Sequence, residues 1–131
     1  MSFEIQYASP ADAEELTDVF MTAFSSPFDK KMLPSTPDVR AWTMKNLFSR
    51  SSDAAECEVL LKMVDTSESN KIVALAKWIR PFDASADQAR QSSASMDPWP
   101  ESADVALCEA FFGAMDEYHR RLMGDRPHYC T

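Results

Sequence analysis

Two alternating runs joined by a polar turn constrain the fold of this chain more than any other feature. In residues 57–64 and 72–79, apolar side chains recur at every second position, which is the period of a β-strand. Residues 65–70 between them are all polar, so the pattern predicts an antiparallel hairpin. Because both alternating sets of each run contain apolar residues, we expect helices to cover both faces of the sheet.

Shorter signals predict the remaining elements. Residues 3–7 alternate between apolar and polar side chains, which predicts a short strand with one buried face. Helices are predicted to begin at Ser9-Pro10 and at Thr36-Pro37, where a capping residue precedes a proline at the first helical position. A third helix is predicted near residues 103–123, with Gly124 as its stop. The fold class that follows is α+β (α/β-like), with a mainly antiparallel sheet of three or four strands flanked by three helices.

Two irregular segments are expected within a single domain that covers residues 1–131. Residues 25–35 contain two prolines and the large apolar side chains Phe28 and Leu33, so we expect a connection that folds over a cleft or onto the core. Residues 82–102 are rich in Ser, Ala and Asp without a persistent period. They predict a mobile surface loop whose Trp99 segment can dock.

Charge and cysteine content narrow the functional classes. The formal net charge is −8, and such a field repels phosphate backbones and anionic lipids while tolerating cationic ligands such as amines. We therefore expect no nucleic-acid partner and no membrane partner. The three cysteines form no Cys-x-x-Cys pair, which argues against a disulfide framework and a structural zinc site. Together with the lack of a signal-peptide pattern, this predicts a cytoplasmic setting.

Four apolar residues are candidates for a ligand-binding cleft between the first helices and the sheet. Phe24, Phe28, Leu33 and Trp78 could form aromatic and aliphatic walls with few polar anchors, which suits a small apolar or amine ligand. Phe28 is the preferred candidate because it lies in the predicted connection. The alternative for each of the four is ordinary core packing.

Glu58 and His128 are the candidates for catalysis. A strand carboxylate such as Glu58 could act as a general base if burial raised its pKa, and the alternative is an exposed strand carboxylate. His128 and Cys130 lie two residues apart and would share a face of a strand, although a plain strand-edge histidine is the simpler interpretation. Asp116 and His119 share a helix face, but two ligands do not make a site, so no metal is predicted.

The order of elements resembles the N-terminal half of the GNAT acyltransferase superfamily, and the local sequence is similar to fungal members. The resemblance rests on a set of stretches spread over nearly the whole chain: 9–16, the proline-bearing segment after it, 72–78, Trp99-Pro100 and 111–129. It implies a partial GNAT-like fold and acetyl-CoA-dependent N-acetyl transfer. In the family, a glycine-containing loop holds the acyl-CoA pyrophosphate. This chain has only two glycines and nothing that matches that loop, so no cofactor-binding residue is assigned.

Two functional hypotheses follow. The first is an acyltransferase-related protein, active only with a missing C-terminal half or a partner. The second is a truncated, non-CoA protein of a biosynthetic pathway that binds a small molecule or a partner, with the possibility of a different catalytic activity. Residues 124–131 resemble the start of the family's central strand, which would leave a sheet edge uncovered. We therefore expect a homodimer or a complementing chain.

Overall fold

A three-stranded antiparallel sheet organises the chain. The computed structural model describes residues 1–49, 58–81, 96–124 and 126–130. The strands are β1 (Phe3–Tyr7), β2 (Glu58–Asp65) and β3 (Lys71–Ile79), in the order β1-β2-β3. The predicted hairpin is β2-β3, and its register pairs Glu58 with Ile79 and Asp65 with Lys71. Together with the helices, this confirms the predicted α+β class and the antiparallel sheet.

Four helices accompany the sheet in the described ranges. They are α1 (Ala13–Ala23), α2 (Pro27–Met32), α3 (Pro37–Thr43), which continues as a π-helix (Met44–Phe48), and α4 (Val105–Met123). The three predicted helices correspond to α1, α3 with its π-helical extension, and α4. None of the described helices combines the length and apolarity that a bilayer span needs.

Helix α2 lies where the sequence predicted an irregular connection, so that prediction was wrong for Pro27–Met32. Ser26 Oγ accepts a hydrogen bond from the Asp29 N–H at 3.2 Å, and the Asp29 carboxylate accepts one from the Ser26 N–H at 3.1 Å. This reciprocal capping box satisfies two backbone N–H donors at the start of α2, and Pro27 occupies the first helical position. Together they stabilise a helix of only six residues.

One face of the sheet, here called the covered face, packs against α1 and the π-helix. It contributes Val64 and Ile72, which are 1% and 3% exposed, to a cluster with Leu16 of α1, which is fully buried. The wider set on this face comprises Leu60, Val64, Ile72 and Leu75. The burial of these apolar side chains is the main stabilising contribution of the first half of the chain.

A β-bulge decides which residues reach the covered face. The register shifts between Met63, which pairs with Ala74, and Val64, which pairs with Ile72. Val73 is thereby left without a cross-strand partner, and 41% of it is exposed. Strict alternation predicted Ile72 on the same face as Trp78, but the bulge turns Ile72 into the core beside Leu75.

The opposite face, here called the open face, is apolar but not buried. Phe3, Ile5 and Tyr7 of β1 are 49%, 68% and 74% exposed, and Trp78 of β3 is 40% exposed. In the described part of the chain, neither core cluster includes a residue of this face. The predictions of a buried face for β1 and of helices on both sides of the sheet were therefore wrong for these residues.

A second core cluster joins α2 to the beginning of α4. Met32, Ala103 and Cys108 are buried, and Leu33, Trp99 and Leu107 pack against them. The Asp104 N–H donates to the Met32 carbonyl oxygen at 3.0 Å, while the Asp104 carboxylate accepts from the Leu107 N–H at 3.0 Å. Asp104 therefore caps α4 and fixes its start against α2.

The end of α4 and the segment after it behave as the sequence predicted. Gly124 terminates α4 with φ of +56°, a left-handed conformation that side chains disfavour. Beyond it, the Cys130 N–H donates to the Ile79 carbonyl at 3.0 Å, and the Ile79 N–H donates to the Cys130 carbonyl at 2.6 Å. This antiparallel bridge connects Cys130 to Ile79 at the end of β3.

Candidate functional site

Five aromatic rings from four segments form a continuous group, here called the aromatic array: Phe28, Trp42, Trp99, Phe111 and Phe112. Trp99 stacks on Trp42 with ring centroids 4.9 Å apart and on Phe112 with centroids 5.5 Å apart. Phe112 and Phe111 meet edge to face at 5.2 Å, and Phe111 contacts Phe28 at 5.3 Å. These separations lie in the range where aromatic pairs attract one another beyond simple burial.

Asp97 holds the Trp99 segment against α3 and its π-helical extension. The Asp97 backbone accepts from Trp42 Nε1 at 3.2 Å and donates to Asn46 Oδ1 at 2.9 Å. Its carboxylate receives Lys45 Nζ at 2.6 Å. The hydrogen bond from the Lys45 ammonium keeps the pKa of Asp97 below its usual value, so the Asp97 carboxylate is charged at neutral pH. Residues 96–102 of the predicted mobile loop are thus anchored, whereas residues 82–95 lie outside the described residues.

Part of the array is exposed to solvent. Phe28, Phe111 and Phe112 are 44%, 39% and 38% exposed, whereas Trp99 at the centre of the stack is half-buried. Aromatic rings attract cations through the negative potential of their faces, and they stack on flat apolar groups. The exposed part of the array therefore offers contacts of these two kinds.

The four predicted binding residues occupy three places rather than one cleft. Phe28 and Leu33 both lie at the α2–α4 contact, Phe28 in the array and Leu33 against the second core cluster. Phe24 packs on Phe20 at a centroid distance of 4.7 Å, beside the first cluster. Trp78 lies opposite Val59 on the open face. Of the four residues, only Phe28 therefore belongs to the aromatic array, while Leu33 packs against the second core cluster.

The structure gives Glu58 an ionic partner. Its carboxylate lies 3.2 Å from Lys77 Nζ, and both side chains are less than one-third exposed. The carboxylate is therefore engaged in an ion pair across the two strands. Among the described residues, the contact between Glu58 and Lys77 links β2 to β3 and is part of the structure of the hairpin.

His128 faces a residue that the sequence analysis treated as a helix-face histidine. Its Nε2 contacts Nε2 of His119 on α4, and its Nδ1 lies 2.6 Å from the Arg126 carbonyl oxygen. The backbone of Cys130, two residues on, is engaged with Ile79. The side chain of His128 is therefore in contact with α4 through His119.

Sequence reasoning missed most of the array. The 3.6-residue period places Trp42 and Phe112 on apolar helix faces, but it does not reveal what those faces contact. The available signal was the concentration of aromatic residues in Trp99, Phe111 and Phe112 near a proline-flanked loop. Contacts between residues 42 and 99 are distant in sequence and cannot be derived from local pattern.

Comparisons of the chain with protein-family models, with curated proteins and with solved structures each found no match.

Proposed function

We propose that this chain is a GNAT-like, acyltransferase-related protein whose aromatic array binds the acceptor substrate, a small apolar molecule or amine. The observation that carries the proposal is the set of half-exposed rings Phe28, Phe111 and Phe112, supported from behind by Trp99 and the second core cluster. A rigid aromatic surface of this kind binds flat or cationic groups with little loss of side-chain entropy.

The architecture supports the relationship on which the proposal depends. The chain runs strand, helix, helix, helix, hairpin and helix, which differs from the order on which the resemblance rests by the additional short helix α2. The antiparallel sheet β1-β2-β3, with a bridge between Ile79 and Cys130 beyond it, is compatible with a partial GNAT-like fold.

The proposal assigns no acyl-CoA site to this chain. Gly113 lies inside α4 and Gly124 ends it, so neither glycine opens a helix as a phosphate-binding loop requires. Acetyl transfer then depends on a complementing chain or partner, in a cytoplasmic setting that the buried thiol of Cys108 favours. Calorimetric titration with acetyl-CoA should give no heat, whereas saturable binding by the isolated chain would contradict this part of the proposal.

Acceptor binding is tested with phenethylamine as the probe and Phe28→Ala as the variant. We expect saturable heat from the unaltered chain and an affinity about three- to tenfold weaker in the variant, the range of a lost cation–π or stacking contact. Phe24→Ala is the matched control, because Phe24 is similarly exposed, at 56%, but lies outside the array. Equal affinity in the two variants would remove the array from the proposal.

A second candidate is the binding of a protein partner, in a protein of a biosynthetic pathway that does not bind CoA through this chain. The open face favours it, since Phe3, Ile5 and Tyr7 form an apolar row along an edge strand. Exposed rows of this kind pair with other chains, and a homodimer is the simplest case. Sedimentation of the unaltered chain and of Ile5→Lys tests it: a dimer that dissociates in the variant supports this function.

A further inference from the structure

Strand β1 ends the sheet with a backbone edge that no residue in the described ranges pairs. It is the outer strand of the order β1-β2-β3, and all five of its residues are exposed. Sheet edges are usually protected by lysine, by proline or by a bulge in the edge strand. β1 contains neither lysine nor proline, and its pairing with β2 runs without a register shift. This edge is therefore open to pairing with another strand.

Backbone hydrogen bonds show which residues of β1 face that edge. The Thr66 N–H donates to the Ser2 carbonyl oxygen at 2.9 Å, and the Ala8 N–H donates to the Leu60 carbonyl oxygen at 2.9 Å. Because successive residues of a strand turn their backbone groups to opposite sides, the even-numbered residues direct theirs toward β2. The odd-numbered residues direct theirs outward: Phe3, Ile5 and Tyr7.

We propose that β1 pairs antiparallel with β1 of a second copy of this chain, about a two-fold axis at Ile5, and so joins two sheets into one. In this register Ile5 faces Ile5 of the second copy, and Phe3 faces Tyr7. Every outward N–H and C=O of the three odd-numbered residues then meets one from the second copy. The inference rests on the second candidate function, partner binding along this apolar row, and names both the partner and the register.

The side chains of the apolar row suit this pairing. Phe3 and Tyr7, which are 49% and 74% exposed in the single chain, come to lie directly opposite each other on both sides of the axis. Aromatic pairs and β-branched pairs are among the side-chain contacts that stabilise neighbouring strands. The pairing is along the edge of the sheet, so it gives the row partners without placing another layer on the open face.

The charge pattern of β1 selects the same register. Glu4, the charged residue of the strand, comes to lie opposite Gln6 of the second copy, and the axis repeats that pair. Within one chain the Gln6 amide already donates to the Glu4 carboxylate at 3.4 Å, so the amide suits this acceptor. An axis at Glu4 would set two carboxylates opposite each other, which destabilises a strand pair. An axis at Gln6 would carry Phe3 past the end of β1.

A charge exchange tested by sedimentation velocity separates these registers. The unaltered chain should dimerise as its concentration rises. Gln6→Glu sets like charges opposite each other twice and should weaken the dimer by about two- to thirtyfold. The double variant Glu4→Gln with Gln6→Glu reverses each pair and should restore the affinity. Asn70→Asp, which adds the same charge in the exposed turn between β2 and β3, is the matched control and should dimerise like the unaltered chain.

Disulfide crosslinking measures the register directly, in a background with Cys57→Ser and Cys130→Ser. Residues that face each other in a hydrogen-bonded pair have Cα atoms about 5.5 Å apart, which a disulfide spans. Ile5→Cys should therefore crosslink to itself under mild oxidation. Phe3→Cys should not, because its two copies lie about 14 Å apart along the strands, but a mixture of Phe3→Cys and Tyr7→Cys should form the mixed dimer.

The outcomes separate this pairing from the functions proposed above. A dimer that Gln6→Glu leaves unchanged, or that Ile5→Cys does not crosslink, would overturn the β1 pairing and leave partner binding through another surface in place. A chain that stays monomeric throughout the concentration series would overturn the pairing and the homodimer together. Neither result affects amine binding by the aromatic array, which the titration of Phe28→Ala tests.

Discussion

The two faces of the sheet differ in what their apolar side chains contact. On the covered face, Val64 and Ile72 are almost completely buried against α1. On the open face, Ile5 is about two-thirds exposed, although it is as apolar as Ile72. The comparison shows that residue type does not determine burial here, and that stability should depend on one face much more than on the other.

The largest effect is expected for Leu16→Ala, which removes the α1 side chain that packs on the covered face. Leu16 is fully buried, and truncation of such a leucine lowers the free energy of unfolding by about 2–5 kcal/mol. Urea denaturation followed by circular dichroism measures it. A loss below about 1 kcal/mol would mean that α1 contributes little to the core.

Lys62→Met tests the contribution of the ion pair between Lys62 of the covered face and Asp12. Lys62 Nζ donates to Asp12 Oδ1 at 2.8 Å, and the two side chains are only 16% and 18% exposed. The substitution removes the ionic partner of the Asp12 carboxylate, which keeps only its hydrogen bonds from Ser9, so we expect a loss of about 1–3 kcal/mol in the free energy of unfolding. A double-mutant cycle with Asp12→Asn checks the assignment, since additive losses would show that the pair is not coupled.

The same pair predicts a smaller, pH-dependent effect. Burial acts to raise the pKa of Asp12, but hydrogen bonds from Lys62 and Ser9 outweigh it and lower the pKa below 3.8. A depressed carboxyl pKa contributes stability that is present above pH 3.8 and is lost as pH falls through the folded-state pKa. Urea midpoints measured between pH 5 and about pH 2 should fall less steeply in Lys62→Met.

Ile5→Thr on the open face should have the smallest effect. Threonine keeps the branched Cβ that suits a strand, and an exposed substitution of this kind changes the free energy of unfolding by no more than about 0.5 kcal/mol. The urea experiment used for Leu16→Ala serves here too. A loss above 2 kcal/mol would show that the open face is covered in solution.

Local sequence signals predicted most of the strands and helices but little of what their exposed faces contact. The alternation of residues 3–7 located β1, and the serine–proline and threonine–proline pairs located α1 and α3, because strand period and capping chemistry act within a few residues. The same capping signal is present at Ser26-Pro27, where the structure has α2.

Other features depend on contacts that alternation does not encode. The bulge at Val73 reverses the face of Ile72 through a change in register that only the partner strand defines. The open face was predicted to be buried because a pattern shows which residues share a face and not what packs on it. The aromatic array and the His119–His128 pair join segments that are separate in sequence, and of their members only Phe28 and His128 were selected as candidate site residues.

The distribution of tryptophan gives the molecule internal optical probes. Trp42 and Trp99 stack at 4.9 Å, close enough for their strong indole transitions to couple and produce an exciton band in the far-ultraviolet circular dichroism. Trp78 stands apart on the open face, where its emission reports solvent. Release of the Trp99 segment would remove the exciton band without shifting the emission of Trp78. Circular dichroism and fluorescence of a single sample can therefore distinguish a change at the aromatic array from a change at the open face.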